Sequence, residues 1–290
     1  MTSYADRRRD VDALRTGLRQ LGYEEGKNIV IHYRWAEGRY DRLPELATEL
    51  VKLNVDVLVT HSTPGVLAAK KATSTIPVVF SAVADPIESG LVASLARPGG
   101  NLTGLTFFND ELVAKRLEFI KEAIPTLTRL AVLVNPANPA RPIVLAAMQR
   151  AAGALGLELV PVEVKARDDL HAAIATAATR GAQALVACEE PLITSNANKI
   201  AGFALQRRLP LIGFKPQAEG GALMEYGVDF VHSFYRLAAF VDKVLKGTSP
   251  ADLPVERSVK FDLIVNLKSA KTLGIELPPS LLIRADEVIE

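Results

Sequence analysis

Side chains able to hold a small molecule gather where apolar runs end. The run Val55–Val59 gives way to Thr60, His61, Ser62 and Thr63, and the run Pro77–Val83 gives way to Asp85 in "AVADP". Asn135 closes the apolar run of "RLAVLVNPANP", Glu189 and Glu190 follow "ALVAC", and Tyr226 and Asp229 lie in "MEYGVDF". Ser62 or Thr63 is placed to cap a helix that has Pro64 at its start. The unsatisfied amides and dipole of that helix would attract an anion such as a carboxylate. Asp85 and one of Glu189 or Glu190 could accept from a ligand ammonium or hydroxyl. Each residue also has a plainer local use. Asp85 and Asn135 both precede proline and suit Asx turns, and the two glutamates could simply face water.

The same residues do not assemble into catalytic machinery. Adjacent carboxylates such as Glu189 and Glu190 point to opposite sides of an extended chain, so they are no glycosidase pair. The chain has no GxxxxGK[ST], no GxSxG and no HExxH. His32, His61, His171 and His232 lack metal-ligand spacing. "RPGGNLTG" precedes a strand and reads as a turn, not as a dinucleotide loop. Cys188 is the single cysteine, which rules out an internal disulfide and reads as a small buried hydrophobe. No cofactor is expected.

The elements that position these residues alternate. Helices are expected at 5–22, Leu43–Leu53, Pro64–Ala72 and Ile87–Ala96, and strands at Ile29–Trp35, Val55–Thr60, Pro77–Val83 and Leu102–Phe107. The alternation then repeats. Strands at Leu130–Asn135, Leu157–Val162, Ala184–Cys188, Pro210–Gly213, Gly221–Tyr226 and Val259–Val265 are interleaved with helices, among them Leu112–Ala123, Ile143–Leu155, Leu170–Thr179, Ser195–Arg207, Val231–Leu245 and Leu267–Leu273. Continuous apolar strands mean sheets covered on both faces. The expectation is an α/β fold of two doubly wound parallel-sheet lobes, and ligands of such sheets sit beyond the carboxyl ends of the strands. The 290 residues, 49% of them hydrophobic, suffice for two cores, and the net charge of +1 with 6% aromatics argues against nucleic acid. The basic cluster Arg7–Arg9 reads as a solvated helix start. No apolar run approaches membrane-spanning length.

Several stretches resemble the substrate-binding proteins of ABC transporters, in the branch that includes tryptophan and phenylalanine binders. They are "GLRQLGYEEGKNIVIHYRWAEGRYDRLPELATEL", "AVADPIESGLVASLARPGGNLTGLT", "KRLEFIKEAIP", "RLAVLVNPANP" and "LPVERSVKFDLIVNLKSAKTLGIELPPSLLIRADEVIE". The resemblance covers nearly the whole chain. It implies a bilobed, hinged fold with three crossings, one lobe of residues 1–106 plus 227–256 and the other of 107–226 plus 257–290. It implies capture of a small solute in an interlobe cleft without catalysis, delivery to a membrane permease, and a monomer. The expected ligand contacts are His61, Ser62, Thr63 and Asp85 from the first lobe and Asn135, Glu189, Glu190, Tyr226 and Asp229 from the second lobe and hinge. A helix terminus for a carboxylate and an acid for an ammonium would suit an amino acid. The family pattern places a leader and a first strand ahead of the helix at 5–22, whereas the sequence as written opens in that helix. The expected location is therefore periplasmic or lipid-anchored by resemblance, and cytoplasmic if this start is genuine. The alternative reading is a two-lobed α/β enzyme acting on a small polar substrate, which would require a convergent acid–base pair.

Overall fold

The structure is a computed structural model that describes residues 4–107, 110–258 and 261–290. In chain order its elements are α1 (Tyr4–Gln20), α2 (Leu43–Lys52), β1 (Leu58–His61), α3 (Thr63–Ala72), β2 (Val78–Val83) and β3 (Leu102–Thr106). There follow α4 (Asp110–Ala123), β4 (Arg129–Val134), α5 (Arg141–Ala154), β5 (Glu158–Glu163), α6 (Leu170–Thr179), β6 (Ala184–Val186), α7 (Pro191–Thr194), α8 (Ala197–Gln206), β7 (Leu211–Gly213) and β8 (Met224–Gly227). The last are α9 (Phe230–Leu245), β9 (Glu256–Arg257), β10 (Asp262–Asn266), α10 (Leu267–Leu273), α11 (Pro279–Arg284) and β11 (Glu287–Ile289). The chain divides into two compact units. Unit 1 holds Met1–Phe108 and Phe230–Val259, and unit 2 holds Asn109–Asp229 and Lys260–Glu290.

Unit 1 carries a parallel sheet in the order β1-β2-β3-β9. Val78, Val79 and Phe80 of β2 are wholly buried, as a strand covered on both faces requires. On one face α1 and α9 pack with Val79 and Leu105, through Leu18, Phe234, Leu237 and Val241. Gly17 permits that packing, because a Cβ there would lie 2.7 Å from both the Ala238 methyl and the Tyr235 carbonyl oxygen. The other face gathers Leu58, Val66, Phe80 and Leu102.

Unit 2 carries a sheet in the order β11-β10-β8-β7-β6-β4-β5. Its ladders are parallel except β8–β10, which runs antiparallel from Asp262↔Gly227 to Val265↔Met224. The sequence did not distinguish this reversed pair, since apolar strands buried on both faces look alike in either direction. Ala131, Leu133, Leu185, Ile174, Ile200 and Phe214 form its largest core.

Two expected elements differ. Ile29–Trp35 joins no sheet among the described residues, and only Ile29 is bridged, to Glu25. Alternating side chains select a face; a strand also needs a neighbouring backbone to bond. Residues 87–96 are turns and bends instead of a helix. Gly90 takes φ 65°, and the Leu91 and Val92 amides both donate to the Pro86 carbonyl, so no helical ladder starts. Of the expected strand Val259–Val265, its first two residues, Val259 and Lys260, lie outside the described residues. The remaining expected helices and strands occur with ends moved by a few residues, as end fraying makes usual. The short elements α7, α11, β9 and β11 were not anticipated.

Candidate functional site

In unit 1 the polar residues stand at the carboxyl ends of β1 and β2. His61 is buried, with its ring edge-on to Phe234 at 5.9 Å between centroids. Ser62 follows at φ 61°, ψ 152°, a conformation costly to any residue with a Cβ. It is the N-cap residue of α3, and its carbonyl accepts from the Val66 amide at 3.0 Å. Its side chain makes no cap bond, contrary to the capping use read from the sequence. The Ser62 hydroxyl is buried with no hydrogen-bond partner among the described residues, and so is that of Ser81. The two residues are neighbours across the sheet, with the Ser62 amide donating to the Ser81 carbonyl at 2.9 Å. Ser81 precedes Ala82, whose φ of 55° marks a bulge where β2 slips against β3 between Phe80 and Val83. Thr63 is buried at the first turn of α3, where amides lack intrahelical acceptors.

Asp85 is half-buried two residues past β2. Its Oδ1 accepts from the Ile87 and Glu88 amides at 2.9 and 3.0 Å, which is the Asx turn expected before Pro86. Oδ2 is not engaged by that turn.

In unit 2 the expected residues are tied to one another or to the frame. Asn135 Oδ1 accepts from the Ala137 amide at 2.9 Å, and its Nδ2 donates to Glu190 Oε1 at 2.9 Å. Glu190 caps α7, its Oε2 accepting from the Ile193 amide at 3.0 Å. Glu189 is held by Arg116, with Nη2–Oε1 at 2.5 Å and Nη1–Oε2 at 3.0 Å. Both side chains are almost fully buried, at 2% and 3% exposure. The guanidinium also donates to the Ala187 and Tyr226 carbonyls. Burial alone would lower the Arg116 pKa, yet the Glu189 carboxylate outweighs it and the net shift is upward. Tyr226 packs its ring on Phe119 and Phe261 at 4.9 and 5.8 Å, and burial raises its phenol pKa. Asp229 is half-buried at the last position of its unit 2 segment.

Arg116 and Ser81 escaped the sequence reading. Arg116 was detectable, because it interrupts the helical stripe Leu112, Val113, Leu117, Ile120 with a charge. Ser81 gave no such signal inside "VVFSAV". Cys188 is buried, its Sγ 3.6 Å from Met148 Sδ, and burial pushes its thiol up to about 12. No group of three or more potential metal ligands occurs among the described residues.

This arrangement, two partnerless buried hydroxyls beside a helix terminus at the ends of parallel strands, suits recognition of an anionic group. The family model for ABC transporter substrate binding proteins matches residues 3–289. The chain belongs to the ABC transporter substrate-binding protein family. A tyrosine-binding protein of Clostridioides difficile (strain R20291) is 28% identical over 260 residues, spanning 89% of this chain and 74% of that relative. A conserved domain protein of Vibrio cholerae O1 biovar El Tor superposes with TM-score 0.93 at 30% identity, covering 99% of this chain and 97% of the other. The ABC domain from Streptococcus pneumoniae in complex with L-Trp superposes with TM-score 0.90 at 25% identity, covering 100% and 98%. This ABC substrate-binding protein thus captures a small solute for an ABC permease, in a family that works outside the cytoplasm. Among the described residues no helix is long and apolar enough to cross a membrane.

Proposed function

We propose that the solute is an α-amino acid with an aromatic side chain, bound without chemical change. Its carboxylate is received by the Ser62 and Ser81 hydroxyls and the first turn of α3, and its ammonium by Asp85 Oδ2. The observation that carries this reading is the pair of buried hydroxyls with no partner among the described residues. Burying a hydroxyl unpaired is costly, so a bound acceptor oxygen is the economical explanation. The tyrosine-binding relative and the L-Trp complex favour an aromatic side chain. His61 and Thr63 complete the set within unit 1. In unit 2, Glu189, Glu190 and Asn135 hold the local frame through the bonds that already occupy them, and Asp229 serves the passage from unit 2 to α9.

Catalysis is disfavoured by the same chemistry. The Cys188 thiol at about 12 is a poor nucleophile, and Glu189 is ion-paired. We take the protein to be a monomer that binds no nucleic acid, in keeping with its net charge of +1, and to be periplasmic or lipid-anchored. A thermal-shift screen of the twenty amino acids, followed by calorimetry, tests the ligand. Tryptophan, tyrosine or phenylalanine should raise Tm, and Asp85→Asn should weaken that ligand. Stabilisation by none of the amino acids, or turnover of one that binds, would sink the reading.

A further inference from the structure

Strand β8 carries an acid in the interior of a sheet. Glu225 is 2% exposed, and β8 is flanked by β7 and β10. Register places Gly213, Glu225, Ile264 and Glu287 in one row across four strands. Side chains of one row share a face of the sheet. Gly213 contributes none, and the Gln217 carboxamide stands in its place, since a Cβ at Gly213 would lie 1.6 Å from Gln217 Oε1. Gln217 is wholly buried. Its Oε1 accepts from the Phe214 amide at 3.1 Å, while its Nε2 has no partner among the described residues.

The connection 214–223 between β7 and β8 is fastened from this row and from two helices. Glu225 Oε1 accepts from the Ala218 amide. Asn266 Nδ2, at the N-cap of α10, donates to the Ala218 carbonyl at 2.8 Å, and Ser269 Oγ of α10 donates to the Gly221 carbonyl at 3.0 Å. Gly220 lies against Asn198 of α8. Both helices thus present uncharged groups here. The charges that act on Glu225 are Lys215 and Glu219 of the connection and Glu287 of β11. Tyr226 points to the other face, where it packs on Phe119, so the charges of α4 lie across the sheet. An ionised carboxylate in this row has a backbone amide but no ion-pair partner among the described residues, and burial then favours the neutral form.

We propose that Glu225 is a proton-operated latch on the connection 214–223. Protonated, it stays in its row and holds the Ala218 amide. Ionised, it draws solvent to itself and to Gln217 Nε2, and the connection opens. The unpartnered Nε2 lowers the cost of opening, because water supplies the acceptor that the closed form lacks. Opening also loosens Phe214, which packs beside Gly227. A Cβ at Gly227 would lie 3.3 Å from Phe214 Cβ, 3.1 Å from Glu189 Oε1 and 3.2 Å from Arg116 Nη2. The proton on Glu225 therefore governs how firmly the buried Arg116–Glu189 frame is backed within unit 2.

Hydrogen exchange of the ligand-free 290-residue chain tests the latch. The closed form holds the proton more tightly than the open form, so closure is firmest below about pH 4.5 and weakens as pH rises through about 7. After correction for the intrinsic pH dependence of exchange, protection of the Ala218 and Ala222 amides should fall about thirtyfold or more from about pH 5 to about pH 7, then level off. Glu225→Gln keeps the shape and the acceptor without the charge, and its protection should stay constant over that range. Near neutral pH both amides should exchange at least about tenfold faster than Ala131 and Val132 of β4, the mark of an opening confined to the connection. Equal protection of the two sets overturns the proposal, and so does a pH dependence that is absent from the wild type or persists in Glu225→Gln. Should that variant fail to fold, the carbon-13 shift of the wild-type Glu225 carboxyl decides. A midpoint of about 7 supports the latch, and one near 4.5 overturns it.

Discussion

The Ser62 hydroxyl separates binding from stability. A buried group without a partner stabilises nothing in the free protein, and Ser62 also sits at strained φ and ψ. Ser62→Gly should therefore raise the Tm of the ligand-free protein, by a strain relief of about 1–3 kcal/mol. It should also weaken the ligand about tenfold, the worth of one hydrogen bond. Calorimetry paired with thermal melts reads both, and a lower ligand-free Tm would contradict the account. Arg116 is the opposite case. Arg116→Leu leaves Glu189 buried without its partner and two carbonyls without their donor, and should cost about 3–5 kcal/mol in denaturant unfolding. A third residue responds to pH. Glu225 is buried in β8, where burial, against the Ala218 amide and Lys215 but aided by Glu219 and Glu287, moves its carboxyl from 4.5 to about 7. The folded state holds that proton more tightly than the unfolded state. The stabilisation is thus complete below about pH 4.5 and is lost as pH rises through about 7, a swing of about 3 kcal/mol. Glu225→Gln should flatten this part of the Tm-against-pH curve, and an unchanged curve would assign the slope elsewhere.

At the scale of elements, the sheets depend on close backbone approaches that composition does not reveal. Gly104 in β3 has φ 148°, and a Cβ there would lie 2.0 Å from the Phe80 carbonyl oxygen. Gly104→Ala should cost about 3 kcal/mol or more, through loss of the β2–β3 register next to Ser81. A variant with wild-type Tm would show that the register absorbs the methyl. Most elements were legible because apolar periodicity follows directly from burial: α3, α4, α6 and α9 were all found where their apolar residues recur. Ile29–Trp35 was legible only as a facing pattern, because pairing is a property of two backbones. The region 87–96 misled because Leu91, Val92 and Leu95 keep helical spacing while Gly90 and the Pro86 carbonyl impose turns. The strand-end positions Ser62, Asp85 and Asn135 were legible from topology, but their bonds were not. Whether a carboxylate faces a ligand or an arginine depends on partners far away in sequence, as Glu189 and Arg116 show.

For the molecule as a whole, ligand affinity and stability are linked. A ligand that binds only the folded protein should stabilise it by about 2.7 kcal/mol at a hundred times Kd, so Tm should climb steadily with the logarithm of ligand concentration. A Tm that plateaus near Kd would mean that the unfolding seen does not include the binding unit. The chain's path has a second consequence. Helix α9, the main partner of α1, is separated from it in sequence by most of unit 2. A nascent polypeptide emerging from the ribosome therefore exposes the apolar flank of its first helix until more than two hundred further residues have been made. Synthesis offers no early resting point, and a chaperone has its longest opportunity at the amino end.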